Sequence, residues 1–263
     1  LRYLMIFIGI LFAIFFSVPG AKLPFVFSLE EFLLFVFLII QISLLIDWWL
    51  SKNWIKWSKI HLNYGIRCIL SGVFIELNSR VDILMLGFFL SDYEVGIYSF
   101  SALFAEGFFQ VLIVLQNNYN PILSRLISNK QFDYLLKKIK TGRKNTYFAI
   151  SILAVLSILI YPAIISFFVD EKYLASYLPF TILIIGILLS SGYIPFQNIL
   201  SMANFPGWHT VFMSSIILFN IFFNFLLIPI LGIYGAALAT SSSLIVSCLI
   251  LKIMVKKILF IRI

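Results

Sequence analysis

Residues 76–89, ELNSRVDILMLGFF, place Glu76, Arg80 and Asp82 at the head of an otherwise apolar run, and the preceding stretch YGIRCILSGVFI is nearly as greasy. A charge deep in a bilayer costs about 2.5–3.5 kcal/mol on insertion scales, so three together require partners or water. One reading is an internal ion pair between Glu76 and Arg80, four residues apart, with Asp82 bonded to a neighbouring helix. The sharper reading is a water-filled path carrying a substrate or coupling-ion site. At about 100° per residue, Glu76 and Arg80 share one helix face and Asn78 and Asp82 another. Arg80 and Asp82 therefore line one cavity only if the helix is locally distorted.

Further polar groups recur at helical spacing. Ser99, Glu106, Gln110 and Asn117 step by seven, four and seven. Ser190, Ser191, Gln197, Asn198 and Ser201 form a second stripe, and Asn220 with Asn224 a third. One stripe alone is ordinary glue between membrane helices; several together point to a polar cavity inside a bundle. Gly232, Gly235, Ala236, Ala239 and the run TSSS (240–243) read instead as small residues for close helix packing.

The elements that must carry these groups follow from composition. The chain is 62% hydrophobic and 11% charged, with a mean hydropathy of +1.07. Uncharged runs of spanning length recur along it, which defines an all-α polytopic membrane bundle; barrel strands would be shorter and alternating. Eight spans are expected, near 3–20, 24–47, 63–90, 93–118, 146–168, 174–199, 209–231 and 233–255. The first lacks a small-residue cleavage site and reads as a span, not a signal peptide. The chain begins at Leu rather than Met and reads as a fragment.

The net charge of +8 resides in the links, so it reports topology and not nucleic acid. Alternate links hold Arg2; Lys52, Lys56 and Lys59; the run from Arg125 to Lys144; and Lys252, Lys256, Lys257 and Arg262. The opposite links hold Lys22, Glu30, Glu31, Asp92, Glu94, Asp170, Glu171 and Lys172. The positive-inside rule makes the basic set and both termini cytoplasmic. Trp48, Trp49, Trp54, Trp57 and Trp208 fall at the same ends, where indole suits the headgroup layer. Residues 122–140 read as one amphipathic helix on the anionic leaflet. Cys68 and Cys248 lie in apolar runs with no disulfide or metal spacing, and His61 and His209 read as interfacial.

Two segments carry a family resemblance. NSRVDILMLGFFLSDYEVGIYSFSALF (78–104) with NPILSRL (120–126), and NIFFNFLLIPILGIYGAALATSSS (220–243), resemble the second lobe of Wzx-type polysaccharide flippases of the multidrug/oligosaccharidyl-lipid/polysaccharide exporter superfamily. The resemblance implies a MATE-like lobe of six helices over 63–263, preceded in 1–62 by the last two helices of a first lobe and a cytoplasmic link. It implies a transporter, not an enzyme, that moves undecaprenyl-pyrophosphate-linked oligosaccharide across the bacterial cytoplasmic membrane by alternating access. Arg80 would then meet anionic oxygens, with Gln110, Gln197, Asn198, Asn220 and Asn224 bonding sugar hydroxyls. Glu76, Asp82 and Glu106 would exchange protons or sodium. No cofactor is implied, and no ATP-binding loop is present. The expected partners are the lipid-linked oligosaccharide, membrane lipids and other polysaccharide-assembly proteins. A cation-coupled multidrug exporter of the same superfamily is the alternative. A membrane glycan polymerase or ligase fits less well, because every outside link is short.

Overall fold

The computed structural model describes residues 2–16, 19, 23–45 and 53–261. Lys22, Trp48, Trp49, Lys52 and Arg262 lie outside them, as do the side chains of Arg2 and Cys68. In hydrocarbon a backbone N–H has no water to bond, so apolar runs of this length fold as helix. In order these are α1 (Arg2–Phe15), α2 (Leu23–Leu45), α3 (Trp54–Asn78), α4 (Val81–Phe89), α5 (Asp92–Ser128), α6 (Phe132–Phe168), α7 (Tyr177–Ser190), α8 (Ile199–Met202), α9 (Pro206–Leu231) and α10 (Ile233–Leu259). Short 3-10 turns stand at Glu171–Ser176 and Ile194–Phe196, and no strand occurs among the described residues.

Among the described residues, six stretches are long and apolar enough to cross a membrane: Ser28–Leu45, Asp92–Ser128, Phe132–Phe168, Glu171–Ser190, Pro206–Leu231 and Ile233–Leu259. The chain is an all-α, multi-pass membrane bundle. Two expected spans are not among the six. The first is helical over Arg2–Phe15, and 63–90 is divided between α3 and α4 at Ser79–Arg80.

The chain forms two compact units, Leu1–Ile60 and His61–Ile263. In the first, α1 packs on α2 and buries Ala13 and Leu34. In the second, α10 is the central strut, lying along α9 and α7, with α5 against α7. Close approach is possible because the contacts are small. A Cβ on Gly235 would collide with the Leu227 carbonyl, and one on Gly186 with Ser241. Gly232, at φ +58°, turns α9 into α10, a conformation that costs glycine little. The expected small-residue packing is therefore present.

One apolar core lies where α5 begins and α6 ends; there Tyr161 stacks on Phe180 with ring centres 3.9 Å apart. The other lies where α5 ends, α6 begins and α10 ends, around Leu123, Leu135, Phe196, Phe212 and Leu251. Between α5 and α6 the structure corrects an expectation. Residues 122–140 are not one surface helix. Gln131 N–H bonds the Leu126 carbonyl at 3.0 Å and Lys130 N–H the Ile127 carbonyl at 2.9 Å, with Lys130 left-handed at φ 55°. That paired closure is a Schellman stop, and it turns α5 directly into α6. At 37 residues each, both helices run about 55 Å and outreach the roughly 30 Å hydrocarbon layer.

Candidate functional site: a polar cavity between two helix breaks

The α3–α4 break begins with local bonding. Ser79 Oγ donates to the Glu76 carbonyl at 2.8 Å, and Arg80 N–H reaches the Leu77 carbonyl at 3.1 Å. The backbone tightens there and resumes as α4 in a new register. Asp82 consequently points into the bundle, where it is 6% exposed. It accepts hydrogen bonds from Tyr98 Oη of α5, from Thr240 Oγ1 of α10 at 3.4 Å and from Ile83 N–H at 2.9 Å. Arg80 points elsewhere. Its Nη1 meets Glu106 Oε1 at 3.4 Å, with the two side chains 61% and 39% exposed.

The second break follows α7. Residues 191–198 form turns and one 3-10 turn, and all but Asn198 are buried. Non-helical backbone at membrane depth must find partners inside the protein. Gln116 Nε2 supplies one, donating to the Ile194 carbonyl at 3.0 Å. Gln197 Nε2 donates to Ser247 Oγ of α10 at 3.3 Å.

Both breaks open on one cavity of about 250 Å³. Asn78, Ser79 and Asp82 line it from the first break, and Gln197 and Asn198 from the second. Glu106, Gln116, Thr240 and Ser247 complete the polar wall, while Phe74, Phe109, Leu183 and Met213 are among the apolar groups. Pockets for drug-sized ligands run to roughly 300–1,000 Å³, so this one has room for a hydrated ion or a single sugar-sized group.

Of the expected site residues, Asp82, Glu106, Gln197 and Asn198 line the cavity, and Arg80 stands beside it on Glu106. The others are placed differently. Glu76 is on the exposed wall of α3, and Arg80 pairs with Glu106 instead of it. Gln110 is exposed on α5. Asn220 and Asn224 are wholly buried. Asn220 Nδ2 donates to Asn78 Oδ1 at 3.1 Å and Asn224 Nδ2 to Asn220 Oδ1 at 2.9 Å, so they tie α9 to α3 and contribute nothing to the cavity wall.

No protein-family model, curated protein or solved structure matches the chain. Asp82, Thr240 and Glu106 present oxygen atoms, which suit a proton or a hard cation. Among the described residues no group of three His, Cys, Asp or Glu gathers as a metal site.

Sequence reasoning missed Asn78, Ser79, Tyr98, Gln116, Thr240 and Ser247. On α5 the wall is Ala102, Ala105, Glu106, Phe109, Ile113 and Gln116. These recur at helical spacing along one face, and only Glu106 and Gln116 among them are polar. A search for polar spacing alone selected Gln110 and Asn117, which are exposed. Counting apolar and polar residues together at that period would have found the face.

Proposed function

We propose that this protein is a Wzx-type flippase of the bacterial cytoplasmic membrane, moving a lipid-linked oligosaccharide between leaflets without chemical conversion. The reading takes eight spans, α1 and the broken α3–α4 pair completing the count, with the basic links and both termini cytoplasmic. It takes 1–62 as the end of a first lobe and 63–263 as a MATE-like second lobe.

The observation that carries it is the pair of helix interruptions that present polar groups to one interior cavity. Interrupted membrane helices are tolerated where they line such a space, and transport sites are commonly built from them. Within it the roles divide. Arg80, with an exposed guanidinium, takes the anionic end of the substrate through paired donors. Gln197 and Asn198 bond hydroxyls. Glu106 and Asp82 exchange protons or sodium, Glu106 being released when substrate draws Arg80 away. Other polysaccharide-assembly proteins are the expected partners.

The test uses a bacterial strain whose surface glycan depends on this protein. Arg80→Ala is expected to abolish surface glycan while the protein stays at normal abundance in the membrane. Arg80→Lys keeps the charge without the paired donors and should retain part of the activity. Gln110→Ala, away from the cavity, should export normally. Normal glycan in the Arg80→Ala strain rejects the assignment. A cation-coupled multidrug exporter is the second reading, favoured by the apolar walls around Asp82. It predicts that loss of the protein raises retention of lipophilic cations and leaves surface glycan unchanged.

A further inference from the structure

Away from the cavity, α6 and α10 bring two cations to one aromatic ring. The Arg143 guanidinium carbon lies 3.9 Å from the centre of the Tyr193 ring, and Lys252 Nζ lies 4.6 Å from the same centre. Tyr193 follows α7 and is 4% exposed, whereas Arg143 and Lys252 are each partly exposed. The cations are thus closer together than the roughly 10 Å over which salt screens a charge.

Among the described residues nothing of opposite sign compensates them. Among the described residues the ion pairs are Arg80 with Glu106 and Lys172 with Asp170, and neither Arg143 nor Lys252 donates a side-chain hydrogen bond. Arg143 Nε is buried without a partner. No Asp or Glu follows Glu171 in the chain, so α7, α8, α9 and α10 carry none. Asp133, the one carboxylate of α6, lies ten residues before Arg143, about 15 Å along the helix. The neighbouring charges on the two helices, Lys140, Lys144 and Lys256, add to the positive field.

A ring quadrupole attracts a cation but neutralises none of its charge. Two cations held at one buried ring without a counter-ion repel each other. An anion that contacts both offsets that repulsion. Guanidinium presents a planar fork of donors matched to phosphate oxygens, and an ammonium adds a compact charge. The geometry points to a phosphate-binding site formed by Arg143 and Lys252 at Tyr193. Two full positive charges match a dianionic phosphate monoester or pyrophosphate better than a monoanionic diester. The site stands apart from the cavity and does not rest on the transport reading. Its phosphate belongs either to a lipid headgroup or to a soluble ligand.

The whole chain, purified in neutral detergent, is titrated with dioctanoyl phosphatidic acid and with inorganic pyrophosphate. A ligand of the native state raises the unfolding temperature and gives a Kd. Phosphatidic acid is expected to bind, with dioctanoyl phosphatidylglycerol weaker and the phosphatidylcholine analogue silent. Binding of the lipid alone assigns a headgroup site; binding of pyrophosphate as well assigns a site for soluble phosphate. Arg143→Gln and Lys252→Gln should each weaken binding about tenfold, the loss of one charge-assisted contact. Without ligand, neither should lower the unfolding temperature, since each relieves repulsion. Wild-type protein supplies a measurement that needs no variant: phenylglyoxal modification of Arg143, followed by mass spectrometry, should slow when the probe is bound. Absence of binding by both probes, unchanged affinity in both glutamine variants, or no protection of Arg143 overturns the proposal.

Discussion

Asp82 and Glu106 are carboxylates on the wall of the same cavity, held in opposite ways. Asp82 is buried at the junction of α4, α5 and α10, and every partner it has is a neutral donor: Tyr98, Thr240 and its neighbour's backbone N–H. Glu106 is half exposed, and one long contact to Arg80 at 3.4 Å holds it. The first carboxylate knots three helices together. The second is a loose latch between α5 and the α3–α4 break. An ionisable group inside a membrane bundle is therefore not one kind of object. What surrounds it decides how tightly it is held, Asp82 by three neutral donors and Glu106 by one long contact.

The largest expected effect tests the knot. Asp82→Ala removes the acceptor for the buried Tyr98 hydroxyl and the half-buried Thr240 hydroxyl and should cost about 3 kcal/mol, since orphaned buried donors are costly. Thermal unfolding of the purified protein reads it, and Asp82→Asn, which keeps one oxygen, should lose less. If Asp82→Ala melts no earlier than Glu106→Ala, the contrast fails.

Next comes Asn220, which joins Asn78 and Asn224 without reaching the cavity. Asn220→Ala should cost about 1–2 kcal/mol by stranding the Asn78 amide oxygen and leaving Asn224 Nδ2 only the backbone carbonyl of residue 220. A cysteine at Asn224 should stay inert to small water-soluble thiol reagents while one at Glu106 reacts readily. Equal reactivity at the two positions would erase the distinction between glue and wall.

Glu106→Gln should change stability by less than about 1 kcal/mol, as exposed ion pairs do. A larger loss in the same unfolding assay would make the latch a structural element like Asp82.

The smallest effect belongs to the same chemistry outside the membrane. Asp170 accepts from Lys172 N–H at 3.2 Å and pairs with its ammonium at 3.1 Å. The backbone hydrogen bond first, then the side chain, holds the Asp170 carboxyl below the usual carboxylate range. A depressed folded value stabilises above the unfolded pKa and is lost as pH falls through the folded one. Asp170→Asn should therefore melt slightly earlier at neutral pH and converge with the wild type in acid. A gap that widens on acidification would reverse the sign.

Much of the architecture was legible because lipid imposes it. The expected spans 93–118, 146–168, 209–231 and 233–255 fall within α5, α6, α9 and α10. The breaks were not. The runs 63–90 and 174–199 each have the length of one span, and a hydrogen bond that holds the second break comes from Gln116, far away in sequence. The site was legible in part for the same reason. Residue type and depth single out Asp82, Glu106, Gln197 and Asn198, which line the cavity. Gln110, Asn220 and Asn224 lie off the cavity wall, because polar spacing marks a helix face without saying what the face meets.

Sequence alone determined that this is a helical membrane protein, since hydrocarbon leaves a long apolar run no other way to satisfy its backbone. It also determined that the ionisable groups of 76–82 need partners, since their cost is set by depth. Only the tertiary structure decided which partner each received. A turn at Ser79 and Arg80 rotates Asp82 toward Tyr98 and Thr240 and leaves Arg80 to Glu106, reversing the pairing that four-residue spacing favours. Hydrophobicity acts on area and has no direction. Hydrogen bonds and ion pairs depend on where atoms meet, and those meetings exist only once the helices have packed.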